Sequence, residues 1–364
     1  AYELGFGGFF MKRKQYLFRA DGNARIGAGH LMRCLTIARA LSERLGSPEQ
    51  ILFLCADEAS GELAASYGFL VHVLHTDFQR MEEELPLWEA LLQEKEDLPG
   101  GDKSERGQRK IVVDSYYVTD VYLQNVARWG EVFLLDDMHS RPFPVDAVIN
   151  YNIFADQRSY ERLYEGRNTK LYLGSCYVPL RPQFRNRNCR VSAKVRSVLI
   201  TTGGGDRENI AGKVLDCIYR KGIHFHITAG SFSPNFSALK KLEEKREGVI
   251  IHHNVQDMAG LMEQCDLAVT AAGTTVYELC AVGVPFLCFS YAENQEELAA
   301  YLGNHGIAVN AGAFHRDALG VLERLGEKFG YLCDDVQARA SLRERIRAVA
   351  DGQGADRLAW ILAQ

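Results

Sequence analysis

A histidine that follows Gly-x-Gly at a turn from strand to helix is a candidate general base, and this chain carries one at position 30. The run Asp21-Gly22-Asn23-Ala24-Arg25-Ile26-Gly27-Ala28-Gly29-His30 leaves an apolar segment and opens an amphipathic helical pattern. At a helix N-terminus the dipole disfavours imidazolium, so the ring stays neutral and can accept a proton near pH 7. Asp21 is expected to orient the loop or the histidine. Arg33, one turn further on, is expected to pair with a carboxylate or to support a phosphate. The plainer alternative is a structural histidine.

The loop holding Gly27 and Gly29 is one of three glycine-bearing loops that end a strand and open a helix. The others are Gly203-Gly204-Gly205-Asp206 and Ala272-Gly273-Thr274-Thr275. Such loops present backbone N–H groups and a positive helix end to phosphate. No Gly-Lys-Ser/Thr follows any of them, and the first lacks the third glycine of a dinucleotide fingerprint, so P-loop kinase and NAD dehydrogenase readings fall. Glu278 lies one helical turn after Thr274, where a carboxylate can accept both ribose hydroxyls while the loop holds a diphosphate; otherwise it is a solvated helix glutamate.

Tyr116 ends a strand, and its phenol can bond an attacking water or a sugar, or be a rim aromatic. Asn294 opens a helix after Pro285–Glu293 and can be a plain N-cap. Asp136-Asp137 resembles an acid pair, but adjacent strand residues point to opposite sides, so at most one faces a site. His224 and His226 share a strand face without an evident third ligand, and His252-His253 diverge, so no metal is expected.

These loops need two sheets to position them. Apolar runs at 15–21, 50–55, 70–75, 110–116, 132–137 and 147–150 alternate with helical patterns, the first being 30–45 with Leu31, Leu35, Ala38, Leu41 and Leu45 on one stripe. A second series follows at 197–204, 225–230, 249–253, 267–273, 285–291 and 307–312. Runs without polar alternation are strands buried on both faces of a parallel sheet. The expectation is two doubly wound α/β domains in tandem, 11–188 and 189–364, joined by the polar, basic run 185–194, with room for the last helices to cross back. Ligands of such sheets collect at the carboxyl ends of the strands. Residues 97–110 read as an exposed loop. The lysine and arginine runs at 240–246 and 343–347 read as solvated helix faces.

A length of 364 residues suits two domains of about 180, and 47% hydrophobic with 24% charged residues is the composition of a globular protein. A net charge of −5 argues against non-specific nucleic-acid binding but not against an anionic small molecule. No apolar run approaches the ~18 residues of a membrane span, and no secretory signal is visible. Nine cysteines without any C-x-x-C spacing are expected to be buried free thiols in a reducing cytoplasm. Residues 1–10, ahead of Met11-Lys12-Arg13-Lys14, are expected to be an upstream extension. The oligomeric state stays open, a monomer included.

The run Arg19-Ala20-Asp21…Ile26-Gly27-Ala28-Gly29-His30-Leu31-Met32-Arg33-Cys34-Leu35 resembles the opening of the UDP-2,4-diacetamido-2,4,6-trideoxy-β-L-altropyranose hydrolases of pseudaminic acid biosynthesis. The resemblance continues through Val113-Asp114-Ser115-Tyr116, Leu135-Asp136-Asp137 with Arg141, and Tyr177–Phe184. It goes on through Gly203–Asp206, Ala271–Glu278 and Ala292-Glu293-Asn294-Gln295, thus spanning both domains in order. Ser115 stands where that family often has histidine, and Gly205 where it often has serine. The resemblance implies a GT-B fold of two Rossmann-like domains and release of UDP by water attack at the anomeric carbon. It also implies His30 as the base, a functional Tyr116, and Asn294 beside the sugar with Gln295. No cofactor is implied. The rival readings are a GT-B glycosyltransferase, in which His30 would activate an acceptor hydroxyl, and a non-catalytic sugar-nucleotide-binding subunit.

Overall fold

In the computed structural model the described residues are 14–23, 25–93, 108–138, 140–203, 206, 208–230 and 234–364. Gly204 and Gly205, residues 1–10 and most of the 97–110 segment lie outside them.

The chain divides into two compact units. The first holds the described residues up to Pro179 together with Gly354–Gln364, and the second is Leu180–Gln353. Seven parallel strands form the first sheet: β1 (Gln15–Ala20), β2 (Ile51–Cys55), β3 (Leu70–Val73), β4 (Arg109–Asp114), β5 (Glu131–Leu135), β6 (Ala147–Asn150) and β7 (Lys170–Leu173). Their order is β3-β2-β1-β4-β5-β6-β7. The second sheet has six: β8 (Ser197–Thr201), β9 (His224–Ala229), β10 (Val249–His253), β11 (Leu267–Ala271), β12 (Phe286–Ser290) and β13 (Val309–Ala313). They run β10-β9-β8-β11-β12-β13. The apolar runs seen in the sequence are therefore strands, and β7, a short Lys-Leu-Tyr-Leu segment with little apolar length, is an additional one.

In each sheet the order reverses beside the first strand. Crossovers from β1 and β4 leave on opposite sides, as do those from β8 and β11, which opens a crevice at the carboxyl ends of these strands. His30 follows β1 and Asp114 ends β4. Gly203 follows β8 and Gly273 follows β11.

The helix Gly29–Leu45 after β1 buries Leu31, Cys34, Leu35, Ile37, Ala38 and Leu41 and stops at Gly46, whose positive φ closes the cap. The last helix, Gly354–Ala363, packs on it. A Cβ at position 354 would lie 2.1 Å from the carbonyl oxygen of Val178, so only glycine permits this approach. Arg357 Nη1 donates to the carbonyl of Cys176 at 2.9 Å, and Lys14 Nζ to that of Ala363 at 2.8 Å. The chain end is thus built into the first unit.

The polar run expected to link the units is bound to the second one. Arg343 Nε donates to Cys189 O, Arg347 Nη1 to Arg187 O, and the buried Arg339 to the carbonyls of Ser192 and Ala193. Arg345 Nη1 reaches Gly306 O. The 343–347 run is therefore a clamp on backbone carbonyls and not simply a solvated face, because guanidinium groups satisfy carbonyls that no strand pairs. All nine cysteines are free, but only Cys34, Cys55, Cys265, Cys280 and Cys288 are buried; the other four reach the surface to different degrees. No helix among the described residues is long and apolar enough to cross a membrane.

Arg19 sits in the central strand β1 with its side chain fully buried. Its guanidinium bonds Asp21 Oδ2 at 2.5 Å and both oxygens of the buried Glu84, to which Tyr122 also donates at 3.2 Å. Removing the cation would strand two buried carboxylates. Arg19→Ala is expected to lower the unfolding free energy by roughly 3–5 kcal/mol, measured as a lower urea midpoint at unchanged slope. A loss below about 1 kcal/mol, the range of exposed ion pairs, would mean that the network does not hold β1 in place.

Candidate active site

The loop after β1 is folded by its own polar groups. Asn23 Oδ1 accepts from the N–H groups of Arg25 at 2.9 Å and Ile26 at 3.2 Å, and Asn23 Nδ2 donates to Asp57 at 2.7 Å. Gly27 N–H returns to Asn23 O at 2.8 Å with φ of +76°, a conformation in which glycine carries no steric penalty. Gly29 then starts the helix, and His30 comes out on its first turn. Asp21 does not reach the histidine. Its carboxylate is taken by Arg19 and by the N–H of Ala56 at 2.7 Å, so it fixes the start of the loop.

The histidine's partner is Asp114, 84 residues away at the end of β4. His30 Nδ1 lies 2.6 Å from Asp114 Oδ1, and since an ionised carboxylate can only accept, the ring nitrogen carries the proton between them. Arg33, on the same helix face as His30, binds the same carboxylate through Nε at 2.5 Å and Nη2 at 2.6 Å. Its Nη1 continues to Asp137 Oδ2 at 2.9 Å and to Tyr151 Oη at 2.7 Å. Tyr116 Oη donates to the same Asp137 oxygen at 3.3 Å, and the rings of His30 and Tyr116 meet edge to face at 4.5 Å. Asp136 turns the other way, accepting from Tyr160 and from the N–H of Met138. The acid doublet thus splits across the strand end as its alternation requires.

Charge explains the order of this cluster. Burial disfavours ionised Asp114, but Arg33 and the hydrogen bonds from Arg33 and His30 outweigh it and hold the carboxyl at about 2. Burial likewise opposes the Arg33 charge, and Asp114, then Tyr151 and Asp137, more than restore it. Tyr116 is pushed well above its usual range by burial and by Asp137, so its phenol keeps its proton. With Nδ1–H committed to an ionised Asp114, the Nε2 lone pair of His30 is the free one. A pocket of about 250 Å³ opens there, lined by His30, Asp114, Ser115 and Tyr116 with Asp21, Arg25, Ile26, Phe78 and Tyr117. An imidazole base oriented by a buried carboxylate, at the floor of a pocket with aromatic walls, can deprotonate a water or hydroxyl.

In the second unit the first glycine loop is self-capped. Asp206 accepts from the N–H groups of Ile210 at 2.7 Å and Ala211 at 2.9 Å, and Thr202 Oγ1 donates to it at 3.2 Å. That helix end is already neutralised by its own carboxylate. The helix Thr275–Val282 has no side-chain cap at Thr274, and Gly273 precedes it with open space around the Cα. Glu278 lies in its first turn, raised by burial against the pull of Arg181, whose Nη2 is 3.3 Å away. Gly203 has φ of +83°, and a Cβ there would meet Tyr291 Oη at 3.8 Å. Gln295 Oε1 accepts from the N–H of Tyr291 at 3.1 Å, which ties the turn Glu293–Gln295 to the end of β12 and leaves Asn294 exposed.

Sequence reasoning placed His30, Arg33 and Tyr116, which the fold brings together. It missed Asp114 and Tyr151, and it left open which of Asp136 and Asp137 faces the site; the structure gives Asp137. An acid closing a central strand was the available signal for Asp114. His226 Nδ1 and His252 Nε2 lie 2.9 Å apart across β9 and β10, a contact that the sequence did not anticipate. Among the described residues no group of three or more His, Cys, Asp or Glu side chains is arranged to hold a metal ion.

Because the folded carboxyl of Asp114 lies below its usual 3.8, its stabilisation is complete above that value and disappears as the pH falls through about 2. The expected contribution is on the order of 2 kcal/mol. Asp114→Asn should therefore unfold less steeply than wild type between about pH 4 and pH 2, in urea titrations at each pH. Parallel acid limbs would contradict the clamp.

No protein-family model matches the chain. It is 33% identical over 226 residues to the spore coat polysaccharide biosynthesis protein SpsG of Bacillus subtilis, across 60% of this chain and 64% of that protein. The chain thus spans somewhat less than two thirds of that relative. It is 23% identical over 295 residues to the UDP-2,4-diacetamido-2,4,6-trideoxy-β-L-altropyranose hydrolase of Campylobacter jejuni, covering 80% of this chain and 97% of that one. Among solved structures, MurG of Acinetobacter baumannii superposes with a TM-score of 0.67 at 14% identity, over 96% and 99% of the two chains. The spinosyn rhamnosyltransferase SpnG, complexed with thymidine diphosphate, gives 0.59 at 14% identity over 96% and 100%. With two parallel Rossmann-like sheets and these neighbours, the fold is GT-B, and the chain is a homologue of the proteins named UDP-2,4-diacetamido-2,4,6-trideoxy-β-L-altropyranose hydrolase, with the spore coat protein as a further relative.

Proposed function

We propose that this protein hydrolyses a UDP-linked 2,4-diacetamido-2,4,6-trideoxy sugar to UDP and the free sugar, by attack of water at the anomeric carbon, in pseudaminic acid biosynthesis. The observation that carries the reading is the His30–Asp114 pair, 2.6 Å apart, on the floor of a pocket at the carboxyl ends of β1 and β4. The names of the relatives support sugar-nucleotide chemistry in general, and the site geometry supports a base-activated nucleophile.

In this reading His30 Nε2 removes a proton from the water while Nδ1–H stays on Asp114, which stabilises the imidazolium as it forms. Arg33 holds Asp114 in place. The transition state is oxocarbenium-like, so negative charge grows on the departing phosphate oxygen. Gly273, Thr274 and Thr275 open an uncapped helix whose first N–H groups and positive dipole end suit that diphosphate. The self-capped loop after β8 suits it less, and Gly203 there serves the turn through its positive φ. Glu278 would accept the ribose hydroxyls, and Asn294, exposed on its turn, would reach the sugar with Gln295 behind it. The chemistry needs no cofactor in this scheme, and a reducing cytoplasm fits the free thiols.

One observation favours a second reading: the structural neighbours named above include a rhamnosyltransferase. On the same site His30 would then activate an acceptor hydroxyl. A binding subunit would have no use for the oriented imidazole.

The deciding experiment is UDP release from the UDP-diacetamido-trideoxy-altrose in H₂¹⁸O, with wild type and His30→Ala. The expected result is ¹⁸O in the free sugar and a loss of ~10²-fold or more in the variant. Release that starts only when a second sugar or lipid is added would move the protein to the transferases.

A further inference from the structure

Asp137 is not among the residues that line the pocket, yet it bonds two that shape the site. Its Oδ2 accepts from Arg33 Nη1 at 2.9 Å and from Tyr116 Oη at 3.3 Å, while Oδ1 is buried with no partner among the described residues. The phenol has one proton, and it points at Asp137. Toward the pocket Tyr116 can then offer only lone pairs. His30, with Nδ1–H on Asp114, also offers only a lone pair, at Nε2. The two rings are 4.5 Å apart, centre to centre, at 84°.

We propose that Asp137 is a positioning residue that fixes Tyr116 as a hydrogen-bond acceptor, so that the pocket grips its nucleophile by two protons and thereby favours water over an alcohol. The inference rests on the hydrolase reading and explains how the site would select its nucleophile. Water satisfies both acceptors and leaves an oxygen lone pair for the anomeric carbon. An alcohol has one proton and leaves one acceptor unsatisfied, which discriminates against it. In the step itself the water oxygen bonds the anomeric carbon and one proton passes to His30 Nε2. The other proton stays on the new hydroxyl, held by Tyr116 Oη. The carbon–oxygen bond to phosphate breaks with its electron pair on the diphosphate, and the imidazolium later returns its proton to solvent. Burial and then Asp137 push the Tyr116 phenol further above its ordinary range, so the ring neither competes as a base nor carries charge into the site.

The test is nucleophile partition. Wild type, Tyr116→Phe, Asp137→Asn and the double variant turn over the UDP-sugar in water containing methanol, and the ratio of methyl glycoside to free sugar is read with kcat and KM. Tyr116 is about half exposed, so its phenylalanine variant should fold, and UDP affinity and melting temperature confirm folding for the others. Tyr116→Phe and Asp137→Asn should each raise the methyl glycoside ratio by roughly 10-fold and lower kcat by about 10- to 100-fold, with KM changed less than about 3-fold. In the Tyr116→Phe background, Asp137→Asn should cost less than about 2-fold and leave the ratio unchanged. An unchanged ratio in Tyr116→Phe overturns the proposal. A full cost of Asp137→Asn in both backgrounds overturns it too, because Asp137 would then act through Arg33. If the wild type releases no free sugar at all, the hydrolase reading itself falls and this inference goes with it.

Discussion

The buried carboxylate of Asp114 is the constraint on which the first unit is organised. It lies in the interior at the end of a central strand, where an isolated anion would be neutralised at large cost. Arg33 supplies a two-pronged grip and His30 a third bond. Because Arg33 and His30 are three residues apart on one helix, the grip also fixes the rotation of that helix relative to β4. The N-terminus of the helix, the loop that precedes it and the imbedded Cys34 and Leu35 all follow from this one attachment. Asp21, held by Arg19 and Ala56, fixes the other end of the loop. The loop is thus pinned at both ends by buried ion pairs, and its glycines make the turn between them.

Much of this was legible in the sequence. Strands buried on both faces show as unbroken apolar runs, and the topology follows from their alternation with helical stripes. Asp21, His30 and Arg33 stand together in one short segment, where the glycines mark them. Asp114, Asp137 and Tyr151 do not, since each joins the site from a separate strand end, between 81 and 118 residues from Arg33. A pattern of types along the chain says that an acid closes a strand. It does not say which neighbour that strand will have, and pairing β1 with β4 is what brings Asp114 under the histidine.

The same limit explains the second unit. Two glycine loops looked equivalent as phosphate cradles, yet they differ in what their helices do with the first-turn N–H groups. Asp206 comes four residues ahead of Ile210 and folds back on it, whereas Thr274 makes no such bond. The basic run 343–347 was read as a solvated face because interleaved glutamate usually means solvent. Arg343 and Arg347 instead meet carbonyls of a segment that lacks regular structure, and Arg345 meets that of Gly306. In both cases the sequence shows the donor or acceptor, and the fold decides its partner.

Charge balance links the site's shape to its chemistry. Arg33 stands between two carboxylates, so with a neutral His30 the four groups carry a net charge of about −1 and with imidazolium about zero. In the proposed mechanism, the proton that His30 takes up brings the cluster to formal neutrality. The carboxylates need not move to provide this, because Arg33 holds both in place before a proton arrives, which is the condition for electrostatic preorganisation. Tyr116, bonded to the second carboxylate, is aligned by the same cation that aligns the first. A single guanidinium thus coordinates the proposed base and a neighbouring hydroxyl that lie on different elements, and this is why arginine suits position 33. Lysine has one compact charge and no planar fork with which to meet Asp114 and Asp137 together.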